Sequence, residues 1–465
     1  MPDEFHDLRT CGQEHVLRYW AELSPEVQSQ LRLQLGGVNA RELAELFACR
    51  HDLANWQELA ARAVSPPAFR LNDAQPRFAK VEAIARGEAA LGDGKVGAIL
   101  VAGGQGTRLG FDHPKGMFPA GPVSQRSLFQ IFADQLIARG RRYGVRIPLY
   151  LMTSPATHDE TVAYFDEHDY LGLSRDDVTI FCQGTMPAID AETGKLLLAE
   201  KHSLALSPDG HGGTLAALVR HQGLSQARER GIEQLFYFQV DNPLVEIADP
   251  ALVGYHLLCA SEMSTLVVAK QDPSEKVGVL VEIDGRVRVL EYSDLPAEAA
   301  ARRTADGSLA LWAGNTAVHV FDVAFLARME SHAQALPFHL AFKAVPFINE
   351  LGQRIEPQKP NAIKFERFVF DLLPHARNAI VVEIDPAAGF APIKNASGAA
   401  RDTPETARAA MLALHRRWLR EAGAAVADDA IVEISPHFAL DARQLPAKIK
   451  PGTRIGSPTF LQADC

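Results

Sequence analysis

From Val96 onward the chain alternates short, β-branched apolar runs with amphipathic stretches of helical length, and this rhythm decides its architecture. GAILVA (Gly97–Ala102) precedes a helical stretch over Leu128–Arg139, and PLYLMTS (Pro148–Ser154) precedes another over Asp159–His168. VTIFCQG (Val178–Gly184) follows, then a helical stretch through Leu215–Arg230 and FYFQVDN (Phe236–Asn242). Runs that are apolar throughout, rather than at every second residue, belong to strands buried on both faces. Repeated strand–helix–strand units predict an α/β, Rossmann-like core with a mostly parallel sheet covered on both sides. In such sheets ligands bind in the crevice outside the carboxyl ends of the strands.

The flanks read differently. Apolar residues recur at helical spacing through Val16–Leu35 and Leu43–Ala63, with Ser24-Pro25 and Asn39 as caps, and Ser65-Pro66-Pro67 breaks the pattern. Past the core, Leu266–Tyr292 and Leu309–Val323 carry strand signals, with Asp284-Gly285 as a hairpin turn. A helix is expected over Pro404–Ala422, followed by short apolar pairs in IVEIS and IKPGTRIGSP. The expected organisation is a helical N-terminal domain (1–92), a catalytic core (93–385) and a small β-rich C-terminal domain (386–465).

The end of the first core strand carries the strongest chemical signal, LVAGGQGTRLGFDHPK at Leu100–Lys115. Gly103, Gly104 and Gly106 have no side chains to block a ligand, and successive backbone N–H groups there can converge on an anion. Arg108 and Lys115 add positive charge beside them. The spacing fits neither a Walker A loop nor a dinucleotide fingerprint: no Lys-Ser or Lys-Thr pair follows, and Gly110 falls one position late for G-x-G-x-x-G. A nucleoside triphosphate suits this cradle, whereas the glycine cluster alone would also admit a dinucleotide-dependent oxidoreductase. A tight turn with no ligand is the plainest reading of such a cluster.

Other polar clusters sit at predicted strand ends. Gln183-Gly184 follows VTIFC, and Asp209-Gly210-His211-Gly212-Gly213 precedes a helix whose start can hold an anion or a base edge. Asp241-Asn242 ends FYFQV, where a carboxylate can hold a divalent cation against phosphates. Each alone could be a turn or a cap.

The bulk numbers set outer bounds. The 465 residues are 47% hydrophobic and 22% charged, as expected of a globular chain with two or three domains. A net charge of −10 argues against a nucleic-acid partner, so an anionic ligand must meet local positive charge. Cys11, Cys49, Cys182, Cys259 and Cys465 are scattered and odd in number, which points to a reducing compartment without a disulfide framework or zinc knuckle. The charged MPDEFHDLRT start is unlike a signal peptide and no apolar run has membrane-spanning length, so a cytoplasmic protein with no membrane partner is expected. The oligomeric state is not readable.

Taken together, the blocks LVAGGQGTRLGFDHPKGMF, CQGTMPAID, SPDGHGGTLAAL, QVDNPLVEIADP, EKVGVLVEIDG, LEYSDL, AGNTAVH, KPNAIKFERFVFD and FAPIKNASGAARDTPETARAAMLALH resemble the UDP-sugar pyrophosphorylase family. The eukaryotic-type UDP-N-acetylglucosamine pyrophosphorylases are the nearest group, and the resemblance runs from about Leu100 to His415. It implies a nucleotidyltransferase core and the reaction of UTP with a sugar 1-phosphate to UDP-sugar and pyrophosphate, with Mg²⁺. By position it implies that Ala102, Gly103, Gly104, Lys115, Gln183, Gly210, Asp241 and Lys364 bind the nucleotide, Asp241 also holding the metal. His211, Glu291, Asn315 and Lys394 match positions that touch the sugar phosphate, and Arg108, Lys115 and Lys394 are the expected catalytic cations. The chemistry agrees, because the sugar phosphate oxygen is already an anion. The site must then supply alignment and charge cancellation rather than a general base.

One position departs from the pattern. The N-acetylglucosamine enzymes usually read DGNGG where this chain has DGHGG, and His211 is closer to the GHG block of UDP-glucose and broad UDP-sugar pyrophosphorylases. EYSD at Glu291–Asp294 and AGN at Ala313–Asn315 stay with the N-acetylhexosamine group. N-acetylglucosamine 1-phosphate is therefore the first expected substrate and a plain hexose 1-phosphate the second. A silent UDP-sugar binder is a further alternative, opposed by Arg108, Lys115, Asp241 and Lys394.

Overall fold

The computed structural model of the protein describes residues 5–50, 56–332 and 336–463. Met1–Glu4 and Cys465, which entered the arguments on a leader and on cysteine pairing, lie outside the described residues, as do 51–55 of the expected second helix. Within the described residues the chain forms two compact units.

The larger unit comprises residues 57–182, 214–332 and 372–465. Its main sheet has ten strands: β1 (Ala68–Phe69), β2 (Val96–Val101), β3 (Leu149–Thr153), β4 (Val178–Cys182), β5 (Gln234–Gln239), β6 (Met263–Ala269), β7 (Val279–Ile283), β8 (Arg286–Leu290), β9 (Ala313–Asp322) and β10 (Ile380–Ile384). The order is β1-β10-β6-β9-β5-β2-β3-β4, with β7 pairing β8 and β9 off this path. All neighbours on that path are parallel except β9, which is antiparallel to β5 and β6. The expected sheet is thus present.

Local chemistry accounts for the elements. The continuous apolar runs of β2 and β3 are buried on both faces. The helix Leu128–Tyr143 starts at Ser127, whose hydroxyl accepts from Gln130 N–H, and ends at left-handed Gly144. Asp284 and Gly285 both take positive φ between β7 and β8, as the hairpin turn requires. The single helix expected over Leu215–Arg230 is two, Thr214–Arg220 and Gly223–Glu229, because Gln222 enters the left-handed region and breaks it.

Phe129, Phe132, Phe165, Phe236 and Phe238 fill the core between sheet and helices. The helices Lys80–Gly92 and Pro250–Leu258 also close on one another. A Cβ on Gly87 would lie 1.9 Å from Pro250 O, and one on Gly254 1.7 Å from Ala83 O. Only glycine permits that approach.

The smaller unit draws on residues 1–56, 183–213 and 333–371. Its sheet sets Ala362–Glu366 between His339–Lys343 and Ile189–Asp190, antiparallel to both. Leu17, Leu31, Leu35 and Leu43 from the first stretch share one core with Ile189, Leu196, Ile363 and Phe365. The expected caps are in place: Ser24 accepts from Val27 N–H and Asn39 from Glu42 N–H.

The chain therefore divides otherwise than at residues 92 and 385. The first helices bury their apolar faces on 183–213 and 336–371, while Lys80–Gly92 packs on Pro250–Leu258 of the larger unit. Residues 386–463 stay with the larger unit and carry little β structure, one parallel pair of Val432–Ile434 with Thr459–Leu461. Glu433 of that pair is buried, and its carboxylate accepts from Val123 N–H, Ser124 N–H and the Ser124 hydroxyl, each at 2.7 Å.

Candidate active site

The topology brings β2 and β5 side by side and parallel, in register from Gln234–Val96 to Gln239–Val101. Their carboxyl ends thus deliver the glycine loop and Asp241 to the same edge of the sheet. After β2 the chain crosses to β3 on one side, while β5 lies on the other, which makes this a topological switch point.

The glycine loop is fastened by its carbonyls. The Ser154 hydroxyl donates to Gly103 O at 2.7 Å, and Lys115 N–H donates to Gly104 O at 3.0 Å. Ala102 N–H is taken by Met152 O. The N–H groups of Gly103, Gly104 and Gln105 have no acceptor among the described residues. Gly104 is exposed, and no heavy atom lies within 4 Å of where its Cβ would stand. Gly106, by contrast, is structural: a Cβ there would sit 2.6 Å from Phe111 O. The loop therefore leaves donors without an acceptor and keeps the Gly103 and Gly104 carbonyls tied, the polarity an anion needs.

Positive charge gathers around it. Lys115 is half-buried and its ammonium donates to Ile393 O at 3.3 Å. Burial pushes its pKa below the ordinary lysine value, the Asp241 carboxylate opposes this, and Lys394 and Arg108 add to the lowering. Asp241, Lys394 and Arg108 thus each stand close enough to act on Lys115. Ile393 N–H donates to Asp241 O at 2.7 Å, and Lys394 N–H to Asp402 O at 2.7 Å. Thr403, next in the chain, caps the helix Pro404–Glu421 through a reciprocal capping box with Thr406. Arg108 and Lys394 are exposed.

A second cluster of the larger unit joins the predicted sugar residues. Asn315 N–H donates to Gly278 O at 2.8 Å, and the Glu291 carboxylate lies where a Cβ on Gly278 would come within 2.7 Å of it. Sequence reasoning passed over Lys270, at the end of β6 in this region. It is 6% exposed, burial lowers its pKa, and its ammonium donates to Pro273 O at 3.4 Å. It follows the apolar run of β6 and lies outside the blocks that carry the resemblance. Ser154 was likewise quoted inside a block without a role.

The smaller unit holds Gln183, Gly210, His211 and Lys364. Gln183 is buried, and Lys364 lies mid-strand in Ala362–Glu366, half-buried. The DGHGG block is glycine-rich because the chain at Arg367–Phe368 crosses it. A Cβ on Gly210 would meet Arg367 O at 2.4 Å, and one on Gly212 would meet Phe368 N at 2.4 Å. Gly184 and Gly213 both pack on the Asp209 carboxylate, at 2.6 and 2.4 Å on the same measure.

His211 is set among aromatic rings. It stacks on Phe368 (centroids 5.1 Å apart, planes at 25°) and lies 5.5 Å from Phe370. Val369 N–H donates to its Nδ1 at 3.2 Å. Burial, helped by His339, lowers its pKa to about 4, so the ring is neutral at pH 7 with its proton on Nε2. His211 therefore does not titrate near neutrality.

The profile of a family described as UTP–glucose-1-phosphate uridylyltransferase matches residues 64–444. The human UDP-N-acetylhexosamine pyrophosphorylase-like protein 1 is 37% identical, over 98% of this chain and 96% of its own. The UDP-N-acetylglucosamine pyrophosphorylase of Saccharomyces cerevisiae is 36% identical, over 91% of this chain and 92% of its own. Among solved structures, the uridine diphosphate N-acetylglucosamine pyrophosphorylase from Trypanosoma brucei in complex with inhibitor superposes with a TM-score of 0.82. It is 26% identical, and the match covers 100% of this chain and 99% of that one.

Proposed function

Because the chain belongs to the UTP–glucose-1-phosphate uridylyltransferase family, we propose that it condenses UTP with N-acetylglucosamine 1-phosphate to UDP-N-acetylglucosamine and pyrophosphate. The observation that carries this reading is the loop at Gly103–Gln105, with the Gly103 and Gly104 carbonyls bound, its N–H groups without an acceptor among the described residues, and Lys115, Arg108 and Lys394 beside it.

In this reading the loop N–H groups and Lys115 hold the triphosphate while an oxygen of the sugar 1-phosphate attacks the α-phosphorus in line. The bond to the pyrophosphate oxygen breaks, and pyrophosphate leaves as the anion. The nucleophile is ionised at neutral pH, so no residue need take a proton from it. The cations offset repulsion between the two polyanions, and fixed donors cost no reorganisation at the moment of reaction. Gln183, Gly210 and Lys364 are assigned to the nucleotide, and His211, Glu291, Asn315 and Lys394 to the sugar phosphate.

We further assign Mg²⁺ to Asp241. A single carboxylate at a strand end, beside an anion cradle and lysine, is the donor set that Mg²⁺ shares with substrate phosphates. When bound, the ion would neutralise phosphate charge. Chelation by EDTA should abolish turnover, and added Mg²⁺ should restore it. No helix of the described residues is long and apolar enough to cross a membrane. The cytoplasm is the compartment we propose, since no disulfide joins Cys11, Cys49, Cys182 and Cys259 among the described residues.

Pyrophosphate release from UTP, Mg²⁺ and a panel of sugar 1-phosphates tests the reading. Release with N-acetylglucosamine 1-phosphate supports it. Tight UDP-sugar binding without turnover in either direction would leave a binding protein instead. His211 favours a second substrate, a plain hexose 1-phosphate, which the same panel ranks.

A further inference from the structure

We propose that Ser154 is a positioning residue for UTP: its hydroxyl sets the direction in which the Gly104 N–H points, and Thr157 sets the hydroxyl. This rests on the reading of the glycine loop as the cradle for the nucleotide phosphates.

The openness of the loop has a drawback. The peptide between Gly103 and Gly104 has no Cβ on either side, so it can turn over at little steric cost. Turned over, it would offer a phosphate a carbonyl oxygen in place of an N–H. A contact from outside the pair must choose between the two faces. The Gly103–Gly104 peptide is trans, so its C=O and N–H point in opposite directions. Ser154 donates to Gly103 O at 2.7 Å, and that one bond aims the Gly104 N–H the other way. The next peptide is held by backbone alone, since Lys115 N–H donates to Gly104 O at 3.0 Å and so aims the Gln105 N–H. Ser154 is thus the side chain on which the polarity of the cradle depends.

The serine is itself held. Ser154 and Thr157 are 1% and 0% exposed. Ser154 N–H donates to Thr157 Oγ1 at 3.0 Å, and Thr157 N–H donates to Ser154 O at 2.9 Å. The two hydroxyl oxygens lie 3.1 Å apart. The Ser154 proton is committed to Gly103 O, so a proton between those oxygens comes from Thr157, which also reaches Ser154 O at 3.3 Å.

Thr157 stands at the N-cap of the helix His158–Glu167, where a threonine ordinarily accepts from the second or third N–H of the helix. It makes no such bond here. Its hydroxyl is turned back onto Ser154, and the helix goes without the cap that its own sequence supplies. The same turn grips the loop a second time, because Ala156 O accepts from Gln105 Nε2 at 2.7 Å. The two contacts bracket Gly104. A turn that only ended β3 would need neither.

Amide NMR and binding on the full chain test this. In ¹⁵N-glycine-labelled protein, with the Gly104 resonance identified by its loss in Gly104→Ala, added UTP should shift that amide. Ser154→Ala should abolish the shift and raise Kd for UTP about tenfold, as for one lost donor, with KM for N-acetylglucosamine 1-phosphate changed less than about twofold. Thr157→Val should weaken UTP binding in the same direction, and Thr157→Ser should restore it. An unmoved Gly104 amide in the wild-type protein overturns the cradle itself. A wild-type shift that persists in Ser154→Ala, with unchanged Kd for UTP, overturns the role of Ser154 alone. Equal losses for both substrates, with a lowered melting temperature and a persisting shift, make Ser154 a packing residue and overturn it as well. Absent turnover in a wild-type protein that shows the shift counts against the reaction and not against Ser154. Should Ser154→Ala not fold, Thr157→Val carries the same comparison.

Discussion

The ammonium of Lys115 donates to the backbone carbonyl of Ile393, a residue 278 positions away in the chain. Ile393 in turn donates its N–H to Asp241 O and is followed directly by Lys394. These two hydrogen bonds therefore tie the lysine of the glycine loop to the backbone that carries Asp241 and to the residue before Lys394.

Replacing Lys115 by Ala should lower kcat by about 10²-fold or more, since a preorganised charge at the phosphates is lost along with the tie to Ile393. Steady-state kinetics on a variant with unchanged circular dichroism measures this. Near-normal turnover would place Lys115 outside the chemistry.

The same residue should shape the alkaline side of the pH profile. Burial lowers its pKa, so it sheds its proton at a lower pH than an exposed lysine, and charge is lost as pH rises. The kcat/KM for UTP should fall on an alkaline limb below 10.5. Lys115→Arg, which stays charged, should move that limb upward.

Two glycines should separate function from packing. Gly104→Ala meets no neighbour, so it should fold normally and raise KM for UTP by crowding the exposed cradle. Gly212→Ala would drive a methyl onto the backbone of Arg367 and Phe368, at a cost of about 1–3 kcal/mol or more. Thermal melts with nucleotide titrations distinguish the two outcomes.

Stability should fall in mild acid. Burial holds His256 at a pKa of about 3 and His415 at about 4, against an ordinary 6.5. Above pH 6.5 both the folded and unfolded chains keep these rings neutral. Below it the unfolded chain gains protons that the folded chain refuses, at about 1.4 kcal/mol per pH unit for each ring. Urea midpoints at pH 7, 5.5 and 4.5 should therefore decrease in that order, and His415→Gln should flatten the trend.

His211→Asn should shift preference toward the N-acetylated sugar, because an amide offers an acceptor that the ring withholds. The ratio of kcat/KM for N-acetylglucosamine 1-phosphate to that for glucose 1-phosphate should rise severalfold. An unchanged ratio would mean that this position does not sort substrates.

What the sequence made legible was local. The apolar run of Val96–Val101 breaking into Gly103-Gly104 announced both the strand and the cradle, because period and glycine content act over a few residues. Ser24, Asn39 and the Asp284-Gly285 turn were equally readable for the same reason. The division of the chain was not. Nothing near Leu31 or Leu43 signals that their partners are Ile189 and Phe365, since burial depends on long-range pairing that one sequence does not display. The residues around His211 stayed hidden likewise. Their stacking joins His211 to side chains from positions 339 and 368, neither of which stands out in its own segment.

Because the smaller unit is assembled from stretches at 1–56, 183–213 and 333–371, its core exists only late in synthesis. Leu31, Leu35 and Leu43 leave the ribosome before Ile363 and Phe365 have been translated. At about 5–20 residues per second, the roughly 300 intervening residues take roughly 15–60 s. Until Ile189 and Leu196 emerge that apolar helical surface has none of its later partners, and until Ile363 and Phe365 follow it is covered only in part, exposed to holdases and to neighbouring nascent chains. The yield of active protein is then governed by elongation speed and chaperone supply as much as by the stability of the finished fold.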